Sequence, residues 1–479
     1  MIKFREGMIK QRDRLQVSED ILLERVKNSP FGPKTKEITK KAIKYESFGS
    51  TSYLMYNITP VMERGEGSYL FDVDGKRYID MLSGLSVSAL GNNNKEITKI
   101  IQNQAEKLTH YFDFPHIERV NLAEKLCKNS KISGDTKVAF SVTGADAVEL
   151  AIRAARYYTG QPYILTAYGD YHGVTYGTMG LTSKGNLQSY FYPILPSAGV
   201  GYFPFPHNYR KFTDQYPGYG MEAIKMFERL LDSKETPYGD GCFNINNVAA
   251  ILVEPFQSSA GYYIPPKEYL QELRRICNKF GMLLIVDEIQ TGLGRSGKLW
   301  GFEHSGIEPD MICTSKALGG GLPLSAVIAK SEILEAWSPG AHVSTQAGNV
   351  LACAAANYIL DQVNNKAFLK NVNEVGGYLR DGLKLLQEKH KIIGYIDNQG
   401  LYTGIELVKD RITKEPAIQE SAFIRDMGVA EGILFEKGGY YYNRLLIIPA
   451  LNVGKNVIDE ALVIFDKIFG EAEKRFNIR

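Results

Sequence analysis

The chain of 479 residues has few cysteines and histidines and no long apolar run. Its five cysteines form no C-x-x-C pair, and its seven histidines show no metal-ligand spacing. These absences argue against a disulfide scaffold and a zinc site, so we expect reduced thiols and no metal. No apolar stretch approaches the roughly 20 residues that a membrane-spanning helix needs. The N-terminus also lacks the apolar core of a signal peptide, and we therefore expect a cytoplasmic protein without a membrane partner.

The chain also has no excess of charge of one sign. It has 56 Lys and Arg residues against 54 Asp and Glu residues, a net charge of +2. Such a balance predicts no nucleic-acid partner. The segment from Met1 to Lys44 is rich in Lys and Arg, but acidic residues lie among them. We interpret it as part of a solvated helical arm.

The order of the predicted elements divides the chain into three parts. Residues 1–60 are expected to form an N-terminal helical arm. Residues 61–345 alternate apolar strands with amphipathic helices, which predicts a large α/β domain with a mostly parallel sheet. Residues 346–479 predict a smaller α+β domain. A hairpin at 66–80, turning at an Asp-Gly pair, is expected to pack on this smaller domain.

Individual elements follow from apolar runs and from helical spacing of apolar residues. The predicted strands are Lys137–Phe140, Tyr163–Ala167, Val248–Val253, Leu283–Val286, Met311–Cys313 and Thr403–Leu407. The predicted helices are Asp146–Tyr158, Tyr269–Phe280, Leu351–Val363 and Val375–Lys389.

Lys316 and Asp287 are the strongest candidates for chemistry. Asp287 ends the apolar run Leu283–Val286, and Lys316 follows the strand Met311–Cys313 and precedes three glycines. A lysine in this position can form a Schiff base, and a carboxylate can hold a protonated pyridine nitrogen. An unpaired acid behind an apolar strand would also be costly, and a pyridinium would satisfy it. The pair therefore predicts pyridoxal-phosphate chemistry, although a helix cap and a surface lysine are the ordinary alternatives.

Other polar residues follow neighbouring strands, where ligands of open α/β sheets bind. Thr143, Gly144 and Ala145 open a helix whose first N–H groups could hold a phosphate, although these residues alone favour an ordinary N-cap. Tyr171 could stack on an aromatic cofactor or simply pack in a turn. Glu254 ends another strand, where a carboxylate can orient its neighbours.

The segment Gly292–Gly297 matches G-x-G-x-x-G but does not predict a dinucleotide site. That site requires a helix directly after the turn and an acid about 20 residues further on. Here Lys298–Phe302 brings a further glycine, and the residue 20 positions after Gly297 is Ala317.

Three blocks, Val286–Gly297, Pro309–Asp310 and Ser315–Pro323, together resemble the signature of the class III aminotransferases. These are fold-type-I pyridoxal-phosphate enzymes. The resemblance implies a large domain with a mostly parallel seven-stranded sheet and a smaller α+β C-terminal domain. Supporting matches are Asp72–Asp80, Thr143–Glu149, Tyr171–Gly173, Glu254–Gln257, Gly348–Asn349 and Glu406–Ala417.

The resemblance also implies roles at matching positions, with pyridoxal 5'-phosphate as the cofactor. Lys316 would carry the cofactor as an imine and move the proton, and Asp287 would pair with the pyridine nitrogen. Gln290 would lie near the phenolic oxygen. The family is usually a homodimer with shared sites, so we expect at least a dimer. The remaining expected cofactor contacts are the ring neighbours Tyr171, His172 and Glu254, the phosphate turn Thr143, Gly144 and Ala145, and Thr345 acting on the neighbouring subunit's phosphate.

Two departures bear on the substrate. Many relatives that use 2-oxoglutarate have a glutamate at the position of Ser259 and an arginine at that of Leu446, while here the arginine is Arg444. The arginine that would bind the second carboxylate of 2-oxoglutarate is therefore missing from its usual position. We predict an aminotransferase that takes an amino group from an amino acid or amine, 4-aminobutyrate-like or other, to a 2-oxo acid.

The alternative is an amino-acid racemase or epimerase of the same family. The missing arginine, Gln257–Ser258 and the run Leu322–Ala329 resemble that branch. A racemase needs a second acid–base group across the ring, and the sequence does not identify one. A cofactor-free relative is the third interpretation, and the intact pair of Asp287 and Lys316 argues against it.

Overall fold

A seven-stranded sheet forms the centre of the molecule. The structure is a computed structural model that describes residues 18–47, 50–52, 59–183, 199–210, 219–233 and 245–478. The spatial order of the strands is β4-β10-β9-β8-β7-β5-β6. Only β10 runs antiparallel to its neighbours. The predicted mostly parallel seven-stranded sheet is therefore confirmed. Its strands are β4 (Thr136–Ser141), β5 (Tyr163–Ala167), β6 (Val200–Phe203), β7 (Val248–Val253), β8 (Leu283–Asp287), β9 (Met311–Thr314) and β10 (Ser325–Lys330).

Helices cover both faces of this sheet. Their longer members are α1 (Glu19–Asn28), α2 (Pro33–Tyr45), α3 (Lys95–Ala105), α4 (Ile117–Lys128), α5 (Gly144–Thr159), α6 (Tyr219–Asp232), α7 (Glu268–Phe280), α8 (Val350–Val363), α9 (Lys366–Lys389), α10 (Ile418–Glu431) and α11 (Lys455–Phe476). Single helical turns lie at Ser83–Ser86, Tyr176–Met179, Ile245–Asn247, Gly301–His304, Lys316–Leu318 and Ser331–Leu334.

Strand β7 shows how the sheet divides two cores. All six of its residues are buried. Ile251 and Val253 pack in the cluster that contains α7, while Ala249 and Leu252 pack in the cluster that contains α5. A strand buried on both faces needs a continuous apolar sequence, which explains why the run could be recognised but its inner and outer faces could not.

The N-terminal hairpin shares a small sheet with a strand from the other end of the chain. Strands β1 (Met62–Glu66), β2 (Tyr69–Asp72) and β3 (Arg77–Asp80) are antiparallel. Strand β13 (Ile433–Leu434) pairs with β3 in parallel. The N-terminal hairpin therefore packs against the C-terminal part of the molecule.

A second antiparallel sheet forms most of the C-terminal part. Its spatial order is β11-β12-β15-β14. The strands are β11 (Ile393–Gln399), β12 (Tyr402–Leu407), β14 (Glu436–Gly438) and β15 (Arg444–Ile447). Helix α9 packs on β11, and α10 packs on α11. A search of the helices in the described ranges finds none that is long and apolar enough to cross a membrane.

Two adjacent glycines of helix α9 give a matched test of packing. A Cβ on buried Gly376 would overlap the backbone carbonyl of Gly400, whereas the nearest atom to a Cβ on Gly377 is Arg380 Nη2 at 3.9 Å. We expect Gly376→Ala to lower the free energy of unfolding by about 1–3 kcal/mol, because backbone must move to admit the methyl group. Gly377→Ala should raise it by about 0.5–1 kcal/mol through helix propensity. Urea unfolding of both variants checks this, and equal midpoints would contradict the packing described.

Candidate active site

Lys316 and Asp287 lie at the ends of two neighbouring strands of the large sheet. Strand β8 ends at Asp287, and β9 ends two residues before Lys316. The strands pair in parallel, with Asp287 opposite Cys313. Parallel strands end at the same edge, so the amine and the carboxylate are brought to one site, at the edge where α/β sheets bind ligands.

Lys316 has an unusual backbone conformation, and the pKa of its amine is lowered. Its φ of 44° lies in the left-handed region, which long side chains rarely adopt. Burial lowers the pKa of its amine, and the nearby charges of Asp287 and Glu254 offset only part of that change. A lower pKa leaves more neutral amine, the form that attacks an aldehyde or removes a proton.

His172 links Asp287 to a second buried carboxylate. Its Nδ1 lies 2.8 Å from Asp287 Oδ2, and its Nε2 lies 3.7 Å from Asp170 Oδ2. Burial would lower the pKa of His172, but the hydrogen bonds and charges of Asp170 and Asp287 raise it to about 10. A protonated His172 therefore holds Asp287 in place and offsets its charge. Asp287 Oδ1 accepts a further hydrogen bond from the N–H of Ile289 at 3.0 Å.

Glu254 orders the loops around this pair. Its Oε1 accepts a hydrogen bond from the N–H of Tyr171 at 2.8 Å, and its Oε2 accepts one from the N–H of Ser258 at 3.0 Å. Burial raises the pKa of Glu254 to about 8, and the charges of Asp170 and Asp287 add to this rise. Both oxygens are thus engaged by backbone groups, and Glu254 acts on the site by positioning its neighbours.

The turn before helix α5 combines a cap with a possible anion site. Thr143 and Asp146 form a reciprocal capping box, with hydrogen bonds of 3.2 and 2.9 Å. The N–H groups of Gly144 and Ala145 lie in the first turn, where no carbonyl of the helix can accept them. A Cβ on Gly144 would lie 2.9 Å from Ile289 Cδ1, so this helix end packs beside the residues that follow Asp287.

Gln290 and Tyr171 complete the predicted cofactor contacts within one chain. Gln290 is 7% exposed, and its Nε2 donates to the hydroxyl of Tyr262 at 3.3 Å. Its Oε1 is buried and has no partner among the described residues. Nε2 also faces the carbonyl oxygen of Leu85 at 3.5 Å, which can only accept, so the amide keeps this orientation and leaves Oε1 for a ligand donor. Tyr171 is partly buried, and burial raises the pKa of its hydroxyl.

Thr345 lies on the surface. It is exposed in the turn that precedes Asn349, the N-cap of helix α8. Across the described ranges, no hydrogen bond connects Thr345 with Lys316 or Asp287. The assignment of Thr345 to a neighbouring subunit's phosphate stays a prediction.

Sequence reasoning missed three contributors to the site. Asp170 and Gln257 are fully buried and bond to each other, with Gln257 Nε2 2.8 Å from Asp170 Oδ1. Asp170 could have been recognised as an acid two residues before His172, in the loop that follows β5. Tyr440 contacts Gln257 from a distant turn, and no local pattern in the sequence could have indicated that contact.

Arg444 is committed to a buried charge cluster. Its Nη2 lies 2.7 Å from Asp397 Oδ2, and its Nη1 lies 3.0 Å from Glu406 Oε2. Backbone packs closely around it, since a Cβ on Gly261 would lie 2.6 Å from Arg444 Cδ. The guanidinium is fully buried and its charge is matched by two carboxylates. Arg444 is therefore unavailable as a clamp for a substrate carboxylate.

The sequence profile of the class-III aminotransferases matches residues 53–469. The chain belongs to this family. The leucine/methionine racemase of Thermococcus litoralis is 35% identical over 86% of this chain and 91% of its own length. The isoleucine 2-epimerase of Lentilactobacillus buchneri is 35% identical over 87% and 91%. An acetylornithine aminotransferase of Caldanaerobacter subterraneus is 34% identical over 88% and 98%.

Solved transaminase structures share this fold. An aminotransferase of Bacillus anthracis is 29% identical, with a TM-score of 0.82 over 92% of this chain and 100% of its own. An amine transaminase of an uncultivated Pseudomonas species, in its PLP-bound form, is 28% identical, with a TM-score of 0.80 over 89% and 98%. The family resemblance inferred from the motifs is thus confirmed, and the family includes both aminotransferases and racemases.

The position of His172 predicts a pH dependence of stability. Its pKa is raised to about 10 in the folded chain, from an ordinary value of 6.5. The protonated form is thus favoured by folding. Its contribution is complete below about pH 6.5 and is lost as the pH rises through about 10.

We expect the free energy of unfolding of the cofactor-free protein to fall more steeply between pH 7 and 10 than that of His172→Gln. The difference in slope should reach at most about 1.4 kcal/mol per pH unit, the value for one proton. Urea unfolding at several pH values measures both curves. Parallel curves would show that His172 takes up no extra proton in the folded state.

Proposed function

We propose that the protein is a pyridoxal-phosphate-dependent aminotransferase. It would move an amino group from an amino acid or amine to a 2-oxo acid. The proposal is supported mainly by one observation: Lys316 and Asp287 occupy the ends of adjacent parallel strands, with His172 bonded to Asp287. The relatives that carry the names of aminotransferases support the same reaction class.

The residues present fit this cofactor. The pair of Asp287 and His172 offers a carboxylate, already ordered, to a protonated pyridine nitrogen. The unpartnered Oε1 of Gln290 marks a buried acceptor that a hydrogen-bond donor of a ligand can satisfy. The N–H groups of Gly144 and Ala145 offer an anion site to the phosphate. Pyridoxal phosphate, when bound, supplies an electron sink that acidifies the α-hydrogen of the amino substrate.

Lys316 performs the proton transfer in this proposal. Its amine would hold the cofactor covalently in the resting protein. The lowered pKa of Lys316 then allows it to remove the α-proton as a neutral base. In transamination Lys316 would also be the group that returns this proton. Asp287 would hold the ring nitrogen.

Racemisation is the second candidate, and the first relatives named above favour it. It would require a second acid–base group on the opposite face of the substrate. Asp287 is assigned to the ring nitrogen, Glu254 accepts hydrogen bonds from two backbone N–H groups, and Asp170 lies behind His172 and accepts from Gln257. This occupancy supports transamination.

The commitment of Arg444 limits the acceptor. A second carboxylate on the substrate needs a charged partner, and bidentate arginine is the usual one. Arg444 already pairs with Asp397 and Glu406, and Leu446 is 4% exposed in an apolar cluster. We therefore infer that an uncharged 2-oxo acid such as pyruvate is a better acceptor than 2-oxoglutarate.

We also infer a homodimer in the cytoplasm. The segment around the start of helix α4 exposes Phe112, Phe114, Ile117 and Val120, at 51, 71, 67 and 55%. Several large apolar side chains exposed along one segment are typical of a surface that another subunit covers. The cysteines of the described segments are free, which agrees with a reducing compartment.

An assay in deuterated water separates the two candidate reactions. Single L-amino acids are incubated with the protein, with and without pyruvate, and analysed by mass spectrometry and chiral chromatography. We expect amino transfer that depends on pyruvate, deuterium at the α-carbon, and lower kcat/KM with 2-oxoglutarate. Lys316→Ala should lose at least about 10³-fold in rate, because the proton-transfer group is gone.

Formation of the D-amino acid without any 2-oxo acid would replace the aminotransferase by the racemase. A higher kcat/KM with 2-oxoglutarate that disappears in Arg444→Ala would show that Arg444 is a clamp after all. Borohydride reduction and peptide mapping should place the cofactor on Lys316, and label on another lysine would refute that role.

Mixed dimers test the shared site. Thr345→Val removes a hydroxyl that would serve the neighbour's phosphate, and Lys316→Ala removes the reacting amine. Mixing the two inactive or weakened variants should restore roughly a quarter of the parental activity, because half of the dimers are hybrids and each hybrid has one intact site. Full activity of Thr345→Val alone, or of a monomer in sedimentation, would refute the arrangement.

A further inference from the structure

Tyr440 reaches from the C-terminal sheet into the network behind Asp287. It lies in the turn between β14 and β15. Its hydroxyl lies 2.9 Å from Gln257 Oε1 and 2.9 Å from the carbonyl oxygen of Tyr168. Gln257 and Tyr168 both follow strands of the large sheet, so this one hydroxyl bridges the two parts of the molecule.

The orientation of Gln257 determines the direction of this hydrogen bond. Its Nε2 donates to the carbonyl of Tyr168 at 2.7 Å and to Asp170 Oδ1 at 2.8 Å. The carbonyl of Tyr168 has no proton to give, so the NH₂ group must face it. The amide oxygen therefore faces Tyr440, whose hydroxyl shares its single proton between this oxygen and the carbonyl oxygen of Tyr168. Gln257 itself is fully buried.

A glycine makes room for the approach. Gly169 has a φ of 93°, and a Cβ there would overlap the hydroxyl of Tyr440 and lie 2.9 Å from Gln257 Nε2. Any other residue at 169 would push Tyr440 and Gln257 apart. The backbone is thus shaped for this contact.

The network continues to the candidate cofactor carboxylate. Asp170 accepts from Gln257 on Oδ1 and from the N–H of Glu254 on Oδ2, at 3.2 Å. Asp170 Oδ2 faces Nε2 of His172, whose other ring nitrogen contacts Asp287. Thr166 Oγ1 lies 3.0 Å from the same Nε2. A change at Tyr440 therefore reaches Asp287 through groups that are all buried.

We propose that Tyr440 is a positioning residue for the cofactor's ring nitrogen, acting through Gln257, Asp170, His172 and Asp287. This inference rests on the proposed function. The hydroxyl of Tyr440 fixes the amide of Gln257, and the amide fixes the charge of Asp170. Without that hydroxyl the amide can rotate, Asp170 is less well satisfied, and it draws the proton of His172 away from Asp287. Asp287 then carries a fuller negative charge.

Tyr440→Phe tests this with Tyr441→Phe as the control. Tyr440 and Tyr441 are neighbours with 44 and 47% exposure, and loss of one hydroxyl from either should leave the fold intact. The readouts are the pH midpoint of the bound cofactor's visible absorption, the Kd for pyridoxal phosphate of the cofactor-free protein, and thermal unfolding. We expect Tyr440→Phe to raise the midpoint by about 0.3 pH unit or more, because a more negative Asp287 retains protons on the cofactor.

The Kd should fall about twofold in Tyr440→Phe, since a rise of about 0.3 pH unit corresponds to a twofold stronger hold on the protonated ring, and should stay unchanged in Tyr441→Phe. Gln257→Leu should remove the effect of Tyr440→Phe, since the two residues act in one chain of contacts. A parental midpoint and Kd in Tyr440→Phe would overturn the proposal, as would additive effects in the double variant. A parent chain that binds no pyridoxal phosphate would overturn the proposed function first, before any variant is compared.

Discussion

The buried contact between His172 and Asp287 is the constraint on which the site depends. A carboxylate at the end of an apolar strand is unfavourable unless another group offsets its charge. His172 supplies that charge, and Asp170 and the backbone groups around Glu254 hold His172 in place. The loops after β5, β7 and β8 are therefore bound together before any ligand arrives. Lys316 lies two residues beyond β9 at this ordered edge, with its backbone in the left-handed region.

The two candidate reactions differ in what lies across from Lys316, and the surrounding charges limit that choice. Each buried carboxylate of the site already has hydrogen-bond partners, and Arg444 is enclosed between Asp397 and Glu406. The family is shared by aminotransferases and racemases, so its membership alone leaves the outcome of the proton transfer open. The two reactions differ in where the proton removed from the α-carbon is returned.

The sequence allowed correct prediction of the features that depend on local patterns. Strands β5 and β7 match their predicted bounds, and helix α5 was predicted within two residues at its start. The contributions of Asp170, Gln257 and Tyr440 were missed because they depend on which loops meet in space. Helix α9 begins at Lys366 rather than at the predicted Val375, since Asn365 caps it and its first buried residue is Val372. Strand β10 was not predicted, because its apolar residues follow shortly after the glycine-rich turn.

The pairing of β3 with β13 has a consequence for folding during protein synthesis. One partner is made near the beginning of synthesis and the other near its end, so this small sheet cannot be completed until almost the whole chain has left the ribosome. Contacts between such distant segments form slowly, because a long loop must close first. Until then the hairpin keeps an open edge, to which other chains can add. The growing polypeptide therefore depends on late residues to protect one of its earliest strands from aggregation.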